Sequence, residues 1–205
     1  MRRTSILATG ALALALLATA CGTGSTKSAA PTGVAGPSTV SSAPASSAPE
    51  INAAGDIPDT QAFVAYTPAT GGFSVKVPEG WARTDDAGGA TFTDKFNSVR
   101  ITTSDASAAP TVASAQAELA AIRSSSANYE AGKVSAVTRS AGTGVLITYR
   151  TDSAANAVTG KVIRLDVERY EFWKAAKLVV LTLSSPQGAD NVDPWRTVTD
   201  SLRWQ

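Results

Sequence analysis

GFSVKVPEGW, residues 72–81, alternates apolar and polar side chains and then stops. Phe73, Val75 and Val77 fall on one face, with Ser74 and Lys76 on the other. A period of two is the signature of a half-buried β-strand, and Pro78 ends it because proline has no N–H to give to a ladder. Trp81 follows Pro78-Glu79-Gly80 and is expected in the core, closing the end of the strand. A strand with one apolar face needs a sheet around it and something to cover that face.

The neighbouring segments supply both. ATFTDKF (90–96) and SVRITTS (98–104) read as short strands around a turn at Asn97-Ser98. Then the period changes. Val112, Ala115, Leu119 and Ile122 share one helical face, which begins after Pro110 and runs to Ser124-Ser125-Ser126. KVSAVTRS (133–140), a turn at Gly142-Thr143-Gly144 and GVLITYRT (144–151) follow, with Val145, Ile147 and Tyr149 on one side. GKVIRLDVERYEF (160–172) reads as a long strand in which Ile163, Leu165 and Val167 alternate with Arg164, Asp166 and Glu168. A turn near Trp173-Lys174-Ala175 leads to AKLVVLTLSS (176–185). Asp193-Pro194 then reads as an N-cap and first helical residue, and Trp195, Val198 and Leu202 give the last helix its apolar face.

Short turns between successive strands imply antiparallel pairing. The expected fold is therefore α+β: an antiparallel sheet of about six to seven strands, covered by two helices. The Pro78-x-Gly80-Trp81 signature in a first strand, the central helix, the meander and the Trp-containing last helix resemble the PsbP-like fold. That resemblance spans about residues 60–205 and implies an α/β/α sandwich whose members act mostly as binding or accessory proteins.

The N-terminus speaks to location. Arg2-Arg3, an apolar run from Ile6 to Leu17 and the small residues Ala18-Thr19-Ala20 have the three parts of an export signal, with an apolar run too short to span a bilayer. Cys21, the chain's one cysteine, comes next. Leu17-Ala18-Thr19-Ala20-Cys21 resembles the lipobox of bacterial lipoproteins. The resemblance implies cleavage between Ala20 and Cys21, diacylglycerol and fatty acid on the Cys21 sulfur and amine, and a lipid anchor on the extracytoplasmic face of the cell membrane. With the PsbP-like features, the chain is most similar to actinobacterial lipoproteins of the LpqN/LpqT type. The expected organisation is a signal peptide over 1–20, a lipidated cysteine and disordered Ala/Ser/Pro/Gly linker over 21–58, and a globular domain over 59–205. Residues 22–49 carry one charge, Lys27, and no aromatic residue, too little to offset the entropy of ordering.

Composition narrows the chemistry. There is no histidine, which removes the Ser-His-Asp triad and histidine-ligated zinc. A lipidated Cys21 leaves the domain no thiol for a disulfide, a nucleophile or a metal. No phosphate-binding or dinucleotide glycine motif occurs; Gly142-Thr143-Gly144 precedes a strand, not a helix. Asp85-Asp86, ahead of Gly88-Gly89, reads as a solvated polar turn with too few neighbouring oxygens for calcium. Asp166 and Glu168 share a strand face with Arg164 and read as a salt-bridged polar face. No catalytic or metal residue is assigned, no cofactor is expected, and no basic run suggests nucleic acid. Without Arg2 and Arg3, Lys plus Arg number 16 against 17 Asp plus Glu, a net charge of −1.

The remaining lead is aromatic. Tyr170, Phe172 and Trp173 cluster at a strand–turn junction, flanked by Glu171 and Lys174. Such a cluster is either a lid over the core or an exposed contact for a partner, and it is the candidate binding surface. The expected function is a non-catalytic binding or accessory module of the cell envelope, monomeric as a domain. The alternatives are a carrier of an envelope lipid or glycolipid in an apolar groove, or a histidine-free enzyme.

Overall fold

A computed structural model of the chain describes residues 54–205. Ala20, Cys21 and almost all of the expected linker lie outside the described residues.

Ten strands and two helices form among them: β1 (Phe63–Tyr66), β2 (Phe73–Pro78), β3 (Ala82–Asp86), β4 (Gly89–Asp94), β5 (Asn97–Asp105), α1 (Val112–Ser125), β6 (Glu130–Arg139), β7 (Gly142–Asp152), β8 (Arg164–Lys174), β9 (Lys177–Pro186), α2 (Val192–Asp200) and β10 (Arg203–Trp204). Seven strands make one antiparallel sheet in the order β3-β4-β5-β9-β8-β7-β6, and β1-β2-β10 make a smaller one. The fold is α+β, as the periodicities imply.

The two faces of the large sheet are built differently. On one, Val99 and Ile101 of β5, Leu181 and Leu183 of β9 and Tyr170 and Phe172 of β8 are buried against Phe73, Val75 and Val77 of β2, together with Trp195, Val198 and Leu202. Gly144 makes room there: a Cβ on it would stand 2.8 Å from the Phe172 ring. On the other face α1 packs Ala115, with half-buried Leu119 and Ile122, over Val145 and Ile147 of β7. Thr111 caps α1 through a reciprocal bond with Ser114. Thr91, Thr102 and Thr182 continue this second face beyond the helix, and hydroxyl side chains can meet water without a cover.

Several local expectations need correction. The hairpin turns are Lys95-Phe96, not Asn97-Ser98; Ser140-Ala141, not residues 142–144; and Ala175-Ala176, one step beyond Trp173. Ala175 and Ala176 both have positive φ, 49° and 64°, the backbone a two-residue hairpin demands even without glycine. Asp85 and Asp86 end strand β3 rather than occupying a loop. Strands β1, β3 and β10 were not legible. The packed domain also starts ahead of residue 59, because Ile57 is buried.

Candidate functional site

Residues 54–58, the Lys95-Phe96 turn, the loop after β7 and the segment after β9 meet at one end of the large sheet, the end from which the chain leads back toward Cys21. We call it the tether end. Two buried asparagines fix it. The Ile57 N–H donates to Asn191 Oδ1 at 2.7 Å, and the Asn191 and Asn97 side-chain amides each donate to the Gly55 carbonyl at 3.0 Å. Gly55 has a φ of 103° and lies against Pro186, where a Cβ would sit 2.5 Å from the ring. Only glycine fits that backbone and that approach. Asn191 precedes α2 but makes no side-chain cap; its amide is committed to this strap instead.

Beside the strap opens a cleft of about 830 Å³. Pro58, Trp81, Phe96, Ile163 and Pro186 give it an apolar lining. Trp81 is half-buried, packed on the core and facing the cleft, so it is less enclosed than its sequence context implies. Lys95 and Lys161 stand among the lining residues with no ion-pair partner among the described residues, and Asp56 and Asp94 also contribute to the wall. Volume and lining suit a small ligand or a protruding side chain of a partner. Three exposed large apolar residues, Val158, Val162 and Val192, belong to the loop after β7 and the start of α2 at this same end.

Arg164, also in the lining, is engaged. Its guanidinium reaches Glu130 at 3.0 Å and Asp152 at 3.2 Å, while Arg150 binds Asp166 at 2.7 Å and Glu130 at 2.9 Å. Hydrogen bonding from Arg164, with the charge of Arg150, holds the Glu130 carboxyl below its ordinary pKa. Asp166 is thus salt-bridged as expected, but through neighbouring strands rather than through Arg164. Glu168 instead accepts the Tyr170 hydroxyl at 2.6 Å, and burial pushes the phenol pKa up.

The aromatic cluster at 170–173 is not an exposed contact. Tyr170 and Phe172 are 3% and 0% exposed and lie in the core. Trp173 is half-buried and donates its indole N–H to the Ala106 carbonyl at 2.8 Å, the lid alternative. The physical reason is a change along one face of β8. Arg164, Asp166 and Glu168 meet solvent near the tether end, and Tyr170 and Phe172, on the same face, enter the core farther along. Alternation alone reads the first half and extends it to the second. The cleft residues were missed because they come from five separate segments; the one signal for them was Trp81. Cys21 and Ala20 lie outside the described residues.

No protein-family model and no curated protein sequence matches the chain. Among solved structures, cyanobacterial PsbP (CyanoP) from Synechocystis aligns with a TM-score of 0.52 at 16% identity, covering 80% of this chain and 100% of that one. A protein from Bacteroides thetaiotaomicron is similar at a TM-score of 0.47 and 15% identity; the match covers 69% of this chain and about half, 48%, of that one. The Ran-binding protein Mog1p of Saccharomyces cerevisiae is similar at 0.45 and 10% identity, over 70% of this chain and 96% of that one. The likeness to CyanoP identifies the fold as PsbP-like, and at that identity it speaks to the fold alone.

Proposed function

We propose that this chain is an extracytoplasmic lipoprotein of the LpqN/LpqT type, anchored to the cell membrane through lipid on Cys21, and that its PsbP-like domain is a non-catalytic binding or accessory module of the cell envelope. The observation that carries the reading is the tether-end cleft: apolar walls, two lysines with no ion-pair partner among the described residues and a hydrogen-bonded strap, the makings of recognition. The nearby Arg150 and Arg164 are already neutralised by carboxylates, and the chain has no histidine to act as a base. The export signal and Cys21 support the location. A hydrophobic lining also favours the second reading, a carrier of an envelope lipid or glycolipid.

Cys21→Ser tests the anchor. Lipid attachment needs the thiol, so the variant should leave the detergent-rich phase while its melting temperature stays unchanged; a variant that still fractionates as a lipoprotein refutes the anchor. Mass spectrometry of protein isolated from the envelope separates the two binding readings. A co-purifying lipid that Lys95→Glu/Lys161→Glu removes supports the carrier, and a protein partner lost with the same change supports the accessory module.

A further inference from the structure

A buried carboxyl under α1 serves neither the cleft nor the anchor. The Glu171 side chain is fully buried on the α1 face of β8, opposite Val145 of β7 and Val180 of β9. Its Oε1 accepts from Arg169 Nε at 2.9 Å, and Arg169 Nη2 reaches Glu118 of α1 at 3.2 Å. Two carboxyls therefore divide one guanidinium. Oε2 of Glu171 is buried with no hydrogen-bond partner, and the Glu118 carboxyl beside it is also an acceptor. Those two groups can bond to each other only if one carries a proton.

Among the described residues, the surroundings offer no second free cation. Beyond Glu118, α1 carries Arg123, which sits over the Tyr129 ring at 5.4 Å. From β7 the titratable neighbour is Tyr149, near Arg169. From β9 the facing residues are Val180 and Thr182, and Arg100 of β5, one strand further, is paired with Asp86. Burial raises the Glu171 pKa more than Arg169 lowers it, and the Glu118 charge raises it again.

The helix above is lightly held. Ala115 is its one fully buried residue. We propose that Glu171 and Glu118 share a proton, and that this proton decides how firmly α1 is held on the sheet. With the proton in place, the helix and β8 are joined through a carboxyl pair and Arg169. Without it, two negative groups face one cation under the helix, and opening lets both reach water and uncovers Val145 and Ile147. The sign follows from linkage. The closed state binds the proton more tightly than the open one, so closure is strongest at acid pH. It weakens about tenfold per pH unit between the ordinary carboxylate value and the raised one, then levels off.

Amide hydrogen exchange on the full chain carrying Cys21→Ser, from about pH 5 to about pH 8 and corrected for intrinsic rates, reads this directly. The expected result is an opening fraction for α1 that rises at least several-fold with pH while α2 stays flat. Glu171→Gln and Glu118→Gln should each flatten the α1 profile. An α1 profile that is flat in the parent chain overturns the proposal, and so does one that keeps its full slope in the variants. If Glu171→Gln does not fold, Glu118→Gln decides, because that side chain is 41% exposed and its amide can still face Arg169.

Discussion

The two ends of the large sheet solve different problems. At the far end, away from the strap, two indoles brace the chain: Trp173 donates to the Ala106 carbonyl and Trp204 to the Ala141 carbonyl, two-residue turns join β6 to β7 and β8 to β9, and the cavity beside Trp204 is smaller, about 370 Å³. At the tether end long loops stand beside the Lys95-Phe96 turn, two buried asparagines hold a strap of main chain, and a cleft of about 830 Å³ remains open beside it. Sealing with large rings favours stability. Building from polar latches and loops leaves room for a ligand, because loops tolerate variation that a packed core does not. The difference teaches that the aromatic cluster at 170–173 marks packing, not contact.

The largest effect should come from the sealed region. Phe172→Ala removes a fully buried ring that rests on Gly144 and should cost about 3–5 kcal/mol in chemical denaturation. A loss below about 1 kcal/mol would mean that this part of the sheet is not sealed. Next comes the strap. A chain starting at Asp59 lacks buried Ile57 and the Gly55 carbonyl, and should be about 2–4 kcal/mol less stable than one starting at Ala54. Equal stability would show that the strap is not part of the fold. Asn191→Ala strikes the same latch more gently. It leaves the Ile57 N–H without its acceptor and should cost about 1–3 kcal/mol, read as a lower melting temperature. Glu130 offers a pH test of the ion-pair lattice. Its folded pKa lies below its unfolded one, so its contribution is present above the ordinary carboxylate value and fades as pH falls through the folded value. Glu130→Gln should shrink the difference in melting temperature between neutral and acid solution; an unaltered difference would sever Glu130 from Arg150 and Arg164. Smallest of all, Lys95→Glu/Lys161→Glu on the cleft should stay within about 0.5 kcal/mol of the parent, since neither side chain has an ion-pair partner among the described residues.

The sequence carried the frame well. GFSVKVP became β2 with Phe73, Val75 and Val77 in the core, and the 3-4-3 spacing from Val112 to Ile122 became α1. Both are long enough for a period to register. Strand β3 was invisible because ARTDD has no apolar face at all; every residue is exposed at the sheet edge, where charge discourages pairing with other chains. Asn97 looked like a turn residue because asparagine favours turns, yet it is 4% exposed and spends its amide on Gly55. Asn191 is 2% exposed and makes a bond of the same kind to Gly55. Long-range bonds of this kind, 42 and 136 residues apart in sequence, leave no local pattern.

The claim that function resides at the tether end has a direct test in what the protein retains when purified from its own cells. Parent chain, Lys95→Glu/Lys161→Glu at the cleft and Lys174→Glu at the opposite end of the sheet should be compared by mass spectrometry for co-purifying lipid or cross-linked protein. The account predicts an occupant on the parent and on Lys174→Glu, and its loss from the cleft variant with the melting temperature unchanged. An occupant that survives reversal of both cleft lysines, or one lost with Lys174→Glu, would place the binding surface elsewhere and contradict the account.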